Sequence, residues 1–180
     1  MMYTIIRTAE REAAAHLLSF FPDLPPSFTI DYYLTARRAL QDERWPTVRP
    51  LPGAVRLVRH LHAHGVPIAL ATGSQRRNFE QKSAHNGALF DCFGGRVVCA
   101  DDGLFAPARG KPHPDIFLVA AERFLGLKVG KGEVGEGGVS EEEKAVRAEG
   151  LVFEDGIPGV QAGKRAGMSG WSPIFFGQCE

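Results

Sequence analysis

Three short stretches of the chain carry side chains that suit a phosphate group and a metal ion. The turn at 72–74, Thr-Gly-Ser, offers two hydroxyls and a glycine that lets a ligand approach the backbone amides. Lys111 is a cation held between a glycine and a proline, and Glu154 and Asp155 form an adjacent acidic pair. Positioned donors, a cation and a charge-neutralising metal are what phosphoryl transfer requires.

Short apolar runs, typical of buried parallel strands, precede these stretches. The runs lie at 66–72, 96–100 and 151–153. Helical patterns lie between and after them, at 54–64, 74–87, 114–125 and 160–166. This alternation predicts an α/β fold with a Rossmann-like parallel sheet and helices on both faces. Because ligands bind beyond the carboxyl ends of such strands, the three stretches are expected to meet at one edge of the sheet.

Each stretch alone also has an ordinary structural explanation. Ser74 can be the N-cap of the helix after it, Lys111 can be a surface lysine, and an acidic pair can occupy a solvated turn. Asp101 and Asp102 follow the second strand and fit either a solvated turn or a place near a metal. Strand-end carboxylates are costly without a cationic partner, and oxygen ligands suit Mg²⁺. The presence of all three in chain order favours a phosphate site beside a magnesium site.

The three stretches resemble motifs of the haloacid dehalogenase superfamily of phosphatases. ALATGS resembles the second motif, RGKPHPDIF the third and LVFEDGIPGVQAG the fourth. Over Pro50 to Met168, the chain looks most like the branch that contains pseudouridine monophosphate phosphatases. The resemblance implies a Mg²⁺-dependent phosphatase acting on a small phosphate monoester, such as a nucleotide or sugar phosphate.

The resemblance also implies a role for each residue of the matching motifs. Thr72 would hydrogen-bond the transferring phosphoryl group, and Lys111 would neutralise its oxygens and the nucleophile. Asp155 would be the main protein ligand of Mg²⁺ in this part of the site, and Glu154 would assist directly or through water. The phosphate-binding set is then Thr72, Gly73, Ser74 and Lys111.

The superfamily's first motif, a strand ending in Asp-x-Asp-Gly, has no counterpart in the sequence. In the family that motif supplies the nucleophile, which forms an aspartyl-phosphate, and the general acid and base. Asp31 in FTIDYYLT lacks the second Asp and the Gly. We therefore expect a truncated chain with a core incomplete at both ends, inactive alone. The alternatives are a phosphomutase or dehalogenase on the same scaffold, or a non-catalytic remnant that binds phosphate or a protein.

The organisation of the chain is predicted as part of a helical cap at 1–47 and an α/β core at 48–180. A Gly/Glu/Lys-rich segment at 127–150 is predicted to be a flexible insertion. Lys+Arg and Asp+Glu balance at 21 each, which argues against a nucleic-acid or membrane partner. The three scattered cysteines indicate a reducing compartment, so a cytoplasmic protein binding a small phosphorylated metabolite is expected.

Overall fold

Short parallel strands alternate with helices along the part of the chain that the structure describes. This computed structural model describes residues 2–106, 109–135 and 137–171. The helices are α1 (Met2–Leu18), α2 (Ile30–Arg44), α3 (Ala54–Ala63), α4 (Arg76–Ser83), α5 (Gly87–Phe90), α6 (Asp115–Leu125), α7 (Glu141–Ala148) and α8 (Ile157–Arg165). The strands are β1 (Leu70–Thr72), β2 (Val97–Cys99), β3 (Leu151–Phe153) and β4 (Ser169–Trp171). The predicted α/β class is confirmed.

The strands form two parallel pairs. β1 pairs with β2, with Leu70 opposite Val97, and β3 pairs with β4, with Leu151 opposite Ser169. Among the described residues, neither β1 nor β3 has a strand on its other side. The predicted strand direction is thus correct, whereas the described strands form two pairs and not one continuous sheet. Strand β4 was not predicted, and the chain after it, residues 172–180, lies outside the described residues.

Helix α6 joins the two strand pairs through a shared apolar core. Its residues Ile116 and Ala120, four positions apart, lie on one helix face and are almost fully buried. They pack with Val98 of β2, Val152 of β3 and Ala162 of α8. This packing holds the carboxyl ends of β1 and β3 on the same side of the molecule.

The segment predicted as a flexible insertion contains helix α7. Ser140 caps it: the Ser140 hydroxyl accepts from the Glu143 amide at 3.2 Å, and the Glu143 carboxylate accepts from the Ser140 amide at 2.8 Å. This reciprocal capping box is a strong helix start. Arg147, fully buried on α7, donates to the Val129 carbonyl at 2.5 Å. The glycine-rich composition before Ser140 concealed this start signal.

Helices α1 and α2 pack against each other before the core. The N-cap of α2 is Thr29, whose hydroxyl accepts from the Tyr32 amide at 3.1 Å. Asp31 lies in the first turn of α2 and pairs with Arg11 of α1. A 3-10 turn at Trp45–Thr47 then leads from α2 toward α3. The assignment of residues 1–47 to a cap domain stays a prediction.

Candidate functional site

The turn after β1 is ordered by its own hydroxyl groups. The Ser74 amide donates to Thr72 Oγ1 at 3.1 Å, which closes the turn around Gly73. In this bond Thr72 Oγ1 is the acceptor. The hydroxyl hydrogen is not used by the bond and can be donated to a ligand. A Cβ placed on Gly73 would meet nothing within 4 Å, so the backbone at this point is open.

Ser74 is not the N-cap of the following helix. The N-cap position of α4 belongs to Gln75, and the Arg76 amide donates to Asp101 Oδ1 at 2.7 Å. Asp101 therefore uses one of the amides that a helix N-terminus could offer to an anion. The Ser74 hydroxyl instead accepts from Lys82 Nζ at 3.1 Å.

Asp101 and Asp102, after β2, stabilise the turn after β1. Asp102 accepts from Arg76 Nη2 at 2.6 Å and from the Cys99 amide at 2.7 Å. The hydrogen bond from Arg76 to Asp102 raises the pKa of Arg76. Both carboxylates thus have protein partners, and the structure gives them a supporting role.

Lys111 connects the ends of the two strand pairs. Its ammonium donates to the Ala71 carbonyl of β1 at 3.2 Å and forms an ion pair with Glu154, directly after β3. The two side chains retain only 16% and 12% of their accessible surface. The Lys111 nitrogen also lies 5.0 Å from the centre of the Phe117 ring. Lys111 is therefore a fixed, mostly buried cation, and the alternative of a surface lysine is wrong.

The two residues of the acidic pair differ in environment. Glu154 folds back over α8, where a Cβ on Gly159 would lie 2.1 Å from the Glu154 carboxyl carbon. A glycine at this position is thus required for the carboxylate to lie against the helix. Asp155 is exposed, and within the described residues it has no hydrogen bond or ion pair.

Of the residues predicted from the sequence, the structure joins Lys111 and Glu154 directly and places Thr72 next to the Lys111 acceptor, Ala71. Sequence reasoning missed Lys82. It follows Ser74 by eight positions on an exposed-looking helix, and only its contact with the Ser74 hydroxyl distinguishes it. The spacing in sequence carries no signal for that contact.

The carboxylates at the end of β3 provide only part of a binding site for a hard cation. Glu154 and Asp155 supply oxygen ligands of the kind that Mg²⁺ prefers, and the rest of its shell can be water. In the described part of the chain, no three His, Cys, Asp or Glu side chains converge as a metal-binding group. The same residues include no helix long and apolar enough to cross a membrane.

The family model of the haloacid dehalogenase-like hydrolases matches residues 11–167, so the chain belongs to that family. A protein of Saccharomyces cerevisiae named as a probable pseudouridine-5′-phosphatase is 40% identical over 77% of this chain and 53% of its own length. The mitochondrial (DL)-glycerol-3-phosphatase 1 of Arabidopsis thaliana is 36% identical over 87% of this chain and 46% of its own length.

Solved structures of the same family share the fold. A hydrolase of family IA, variant 3, from Entamoeba histolytica superposes with a TM-score of 0.61 at 22% identity, over 91% of this chain and 62% of its own. A family hydrolase from Deinococcus radiodurans, with bound phosphate and sodium, gives a TM-score of 0.59 at 27% identity, over 89% of this chain and 58% of its own. The chain thus spans about half to three fifths of the length of these relatives.

Proposed function

We propose that the chain carries the phosphate- and magnesium-binding part of a phosphatase that acts on a small phosphate monoester. The observation that supports this most is Lys111, a mostly buried cation that joins the end of β1 to the acidic end of β3. Phosphatases among the similar proteins and the phosphate in one solved relative agree with it. A nucleotide or sugar phosphate remains the proposed substrate class.

In this proposal the end of β1 and Lys111 hold the phosphoryl group. The Thr72 hydroxyl and the Gly73 amide donate to two of its oxygens, and the Ser74 hydroxyl donates to a third. Lys111 neutralises charge on the group and, through its contact with the Ala71 carbonyl, stays fixed while it does so. Fixed donors of this kind need no reorganisation when charge develops, which is why they lower a barrier.

Asp155 and Glu154 are the proposed ligands of Mg²⁺. Asp155 would bind the ion directly from its exposed position, and Glu154 would do so directly or through water while it keeps its ion pair with Lys111. When bound, the metal supplies positive charge that neutralises the phosphoryl oxygens.

The sequence contains no Asp-x-Asp, the nucleophile motif of the family. We therefore propose that the 180-residue chain does not turn over phosphate esters alone. The test compares this chain with a version extended at its N-terminus by an apolar strand ending in Asp-x-Asp-Gly, on a panel of phosphate monoesters with Mg²⁺. Phosphate release by the extended chain only is expected. No release by the extended chain, or isomerised sugar phosphate or halide as product, would contradict the phosphatase assignment.

A second candidate function is that of a non-catalytic protein that binds phosphate or a protein partner. Among the described residues, β1 and β3 each have an edge with no paired strand, which favours this candidate because an unpaired edge can accept another strand. Isothermal titration of the 180-residue chain with inorganic phosphate and Mg²⁺ separates the cases. Binding without turnover by the extended chain supports this candidate, and absence of binding together with a monomeric state excludes it.

A further inference from the structure

Lys82 is a second cation at the turn after β1. It lies in the last turn of α4, and its ammonium donates to Ser74 Oγ at 3.1 Å. The same nitrogen lies 4.0 Å from the centre of the Trp45 ring, on the 3-10 turn after α2. A lysine at this distance from an indole face gains a cation–π interaction. Two contacts from different parts of the chain therefore fix one ammonium beside Ser74.

Three hydrogen-bonding groups of Ser74 have partners within the chain, and only the hydroxyl hydrogen is left to donate to a ligand. Its amide donates to Thr72 Oγ1, its carbonyl accepts from the Ala100 amide at 3.0 Å, and its hydroxyl oxygen accepts from Lys82. A serine hydroxyl has one hydrogen to donate. Because Lys82 can only donate, the Ser74 hydrogen must point away from it. The contact with Lys82 thus orients the hydroxyl as a donor to another group.

Lys82 lacks the partner that usually compensates a half-buried ammonium. Among the described residues it forms no ion pair with a carboxylate. Burial lowers the pKa of its ammonium, so the position is unfavourable for the charge. Arg76 and Arg77, on the same helix, have carboxylate partners in Asp102 and Asp42. Lys82 is therefore the cation on α4 that no described carboxylate compensates, which leaves its ammonium to hold the Ser74 hydroxyl.

We propose that Lys82 is a positioning residue of the phosphate site, which orients the Ser74 hydroxyl toward a phosphoryl oxygen and is itself held in place by the Trp45 ring. This inference rests on the proposed function, because it assigns a role within the same phosphate site. It makes Ser74 a specific donor rather than a residue of the turn alone. It also links phosphate affinity to Trp45, which lies between helix α2 and the core.

The test is isothermal titration of the 180-residue chain with inorganic phosphate at saturating Mg²⁺. Lys82→Met keeps the apolar stem and removes the charge, and we expect it to weaken phosphate binding about tenfold, as for loss of one charge-assisted hydrogen bond. Lys82→Arg keeps a donor and a cation over the ring and is expected to bind within about threefold of wild type. Trp45→Leu, which removes the ring, is expected to weaken binding about threefold.

A double-mutant cycle separates positioning from a general structural effect. If Lys82 acts through the Ser74 hydroxyl, Lys82→Met costs about tenfold in the wild type and less than about twofold in a Ser74→Ala background. Equal losses in both backgrounds would overturn the proposal, and so would wild-type affinity of Lys82→Met. If Lys82→Met lowers the melting temperature so far that the chain is not folded in the titration, Lys82→Gln takes its place. A wild-type chain that binds no phosphate would overturn the proposed function and this role with it, whereas an unchanged Lys82→Met overturns this role alone.

Discussion

The ends of β1 and β3 are built in different ways. After β1, the turn is held by a network of hydrogen bonds from within the turn, from α4 and from the loop after β2. After β3, Glu154 depends on one ion pair with Lys111 and on the space above Gly159, and Asp155 is exposed. The donors for a phosphate are thus preorganised by many small contacts, whereas the acidic end depends on a single cation.

This difference predicts that the acidic end is the more vulnerable of the two. Removing one hydrogen bond from the turn after β1 leaves the others in place. Removing Lys111 leaves the Glu154 carboxylate mostly buried without its cation, and the Ala71 carbonyl loses its side-chain donor at the same time. Removing one side chain should therefore lower the free energy of unfolding more at the acidic end than at the turn after β1, even though fewer contacts hold the acidic end.

The largest effect is expected for Lys111→Met. Loss of one partner from a mostly buried ion pair should lower the free energy of unfolding by about 2–4 kcal/mol, measured by urea denaturation. The double variant Lys111→Met with Glu154→Gln should regain most of this loss, because no uncompensated charge remains. The control is Lys144→Met, which breaks an exposed pair with Glu141 and should cost less than about 1 kcal/mol. If Lys111→Met and Lys144→Met lowered the free energy of unfolding equally, the buried pair would stabilise the fold no more than an exposed pair does.

A smaller effect is expected for Thr72→Val, which tests the end of β1. The variant keeps the side-chain shape but removes the acceptor of the Ser74 amide, so stability should fall by about 1–2 kcal/mol. Phosphate affinity should fall as well, because a donor and the closed turn are lost together. Thr47→Val is the matched control, since its hydroxyl bonds only the Arg44 carbonyl in an exposed turn. A loss no larger than that of Thr47→Val would mean that other bonds alone maintain the turn.

How far the sequence predicts this site differs between its two ends. The sequence points to Lys111 because it stands between a glycine and a proline before a predicted helix. It points to the acidic pair because Glu154 and Asp155 directly follow a short apolar run, and parallel strands bring their carboxyl ends together. The pairing of Lys111 with Glu154, 43 positions apart, could not be predicted, since it depends on how α6 packs between the strand pairs.

The fold was predicted in class and strand direction, but strand ends depend on pairing partners, which is why only the last three residues of the run at 66–72 form β1.

Helix α4 shows a second reason why the sequence does not predict all of the site. Ser74 is a possible N-cap from the sequence, but the N-cap is Gln75. Ser and Thr beside a helix start are ordinarily taken as N-caps. Here Asp101, 25 positions away, takes that role for the Arg76 amide, so the Ser74 hydroxyl is free for Lys82. Local propensity cannot reveal a competing acceptor that arrives from another strand end. The capping box of α7 is the opposite case, because Ser140 and Glu143 are only three positions apart, so its signal is local even though the glycine-rich composition before it concealed it.

Gly159→Ala should affect metal binding more than stability. The added methyl group would occupy the place of the Glu154 carboxylate and displace it, so Mg²⁺ affinity should fall about tenfold in a calorimetric titration, the loss expected for one ligand-orienting contact. The gain in helix propensity, about 1 kcal/mol for Gly to Ala, should offset much of the strain. Gln161→Ala, on the exposed side of the same helix, is the control. Unchanged Mg²⁺ affinity in Gly159→Ala would remove Glu154 from the proposed metal site.

The smallest effect concerns Asp42, which joins α2 to α4 beyond the turn after β1. Arg77 donates to both Asp42 oxygens, at 2.7 and 2.8 Å, and this hydrogen bonding lowers the pKa of Asp42. A lowered folded-state pKa means that the stabilisation is present above the unfolded value of about 3.9 and is lost as the pH falls through the folded value. Asp42→Asn should therefore reduce the melting temperature slightly at pH 7 and have a smaller effect near pH 3.

Asp23→Asn is the control, because Asp23 is exposed and has no ion pair among the described residues. A drop in melting temperature that is the same at both pH values would show that the Asp42 contact does not act through its charge. If the drop is pH-dependent and phosphate affinity is unchanged, the preorganised region ends at α4. If phosphate affinity falls too, the network around the end of β1 extends through α4 to helix α2, and the difference between the two strand ends is larger than their immediate contacts show.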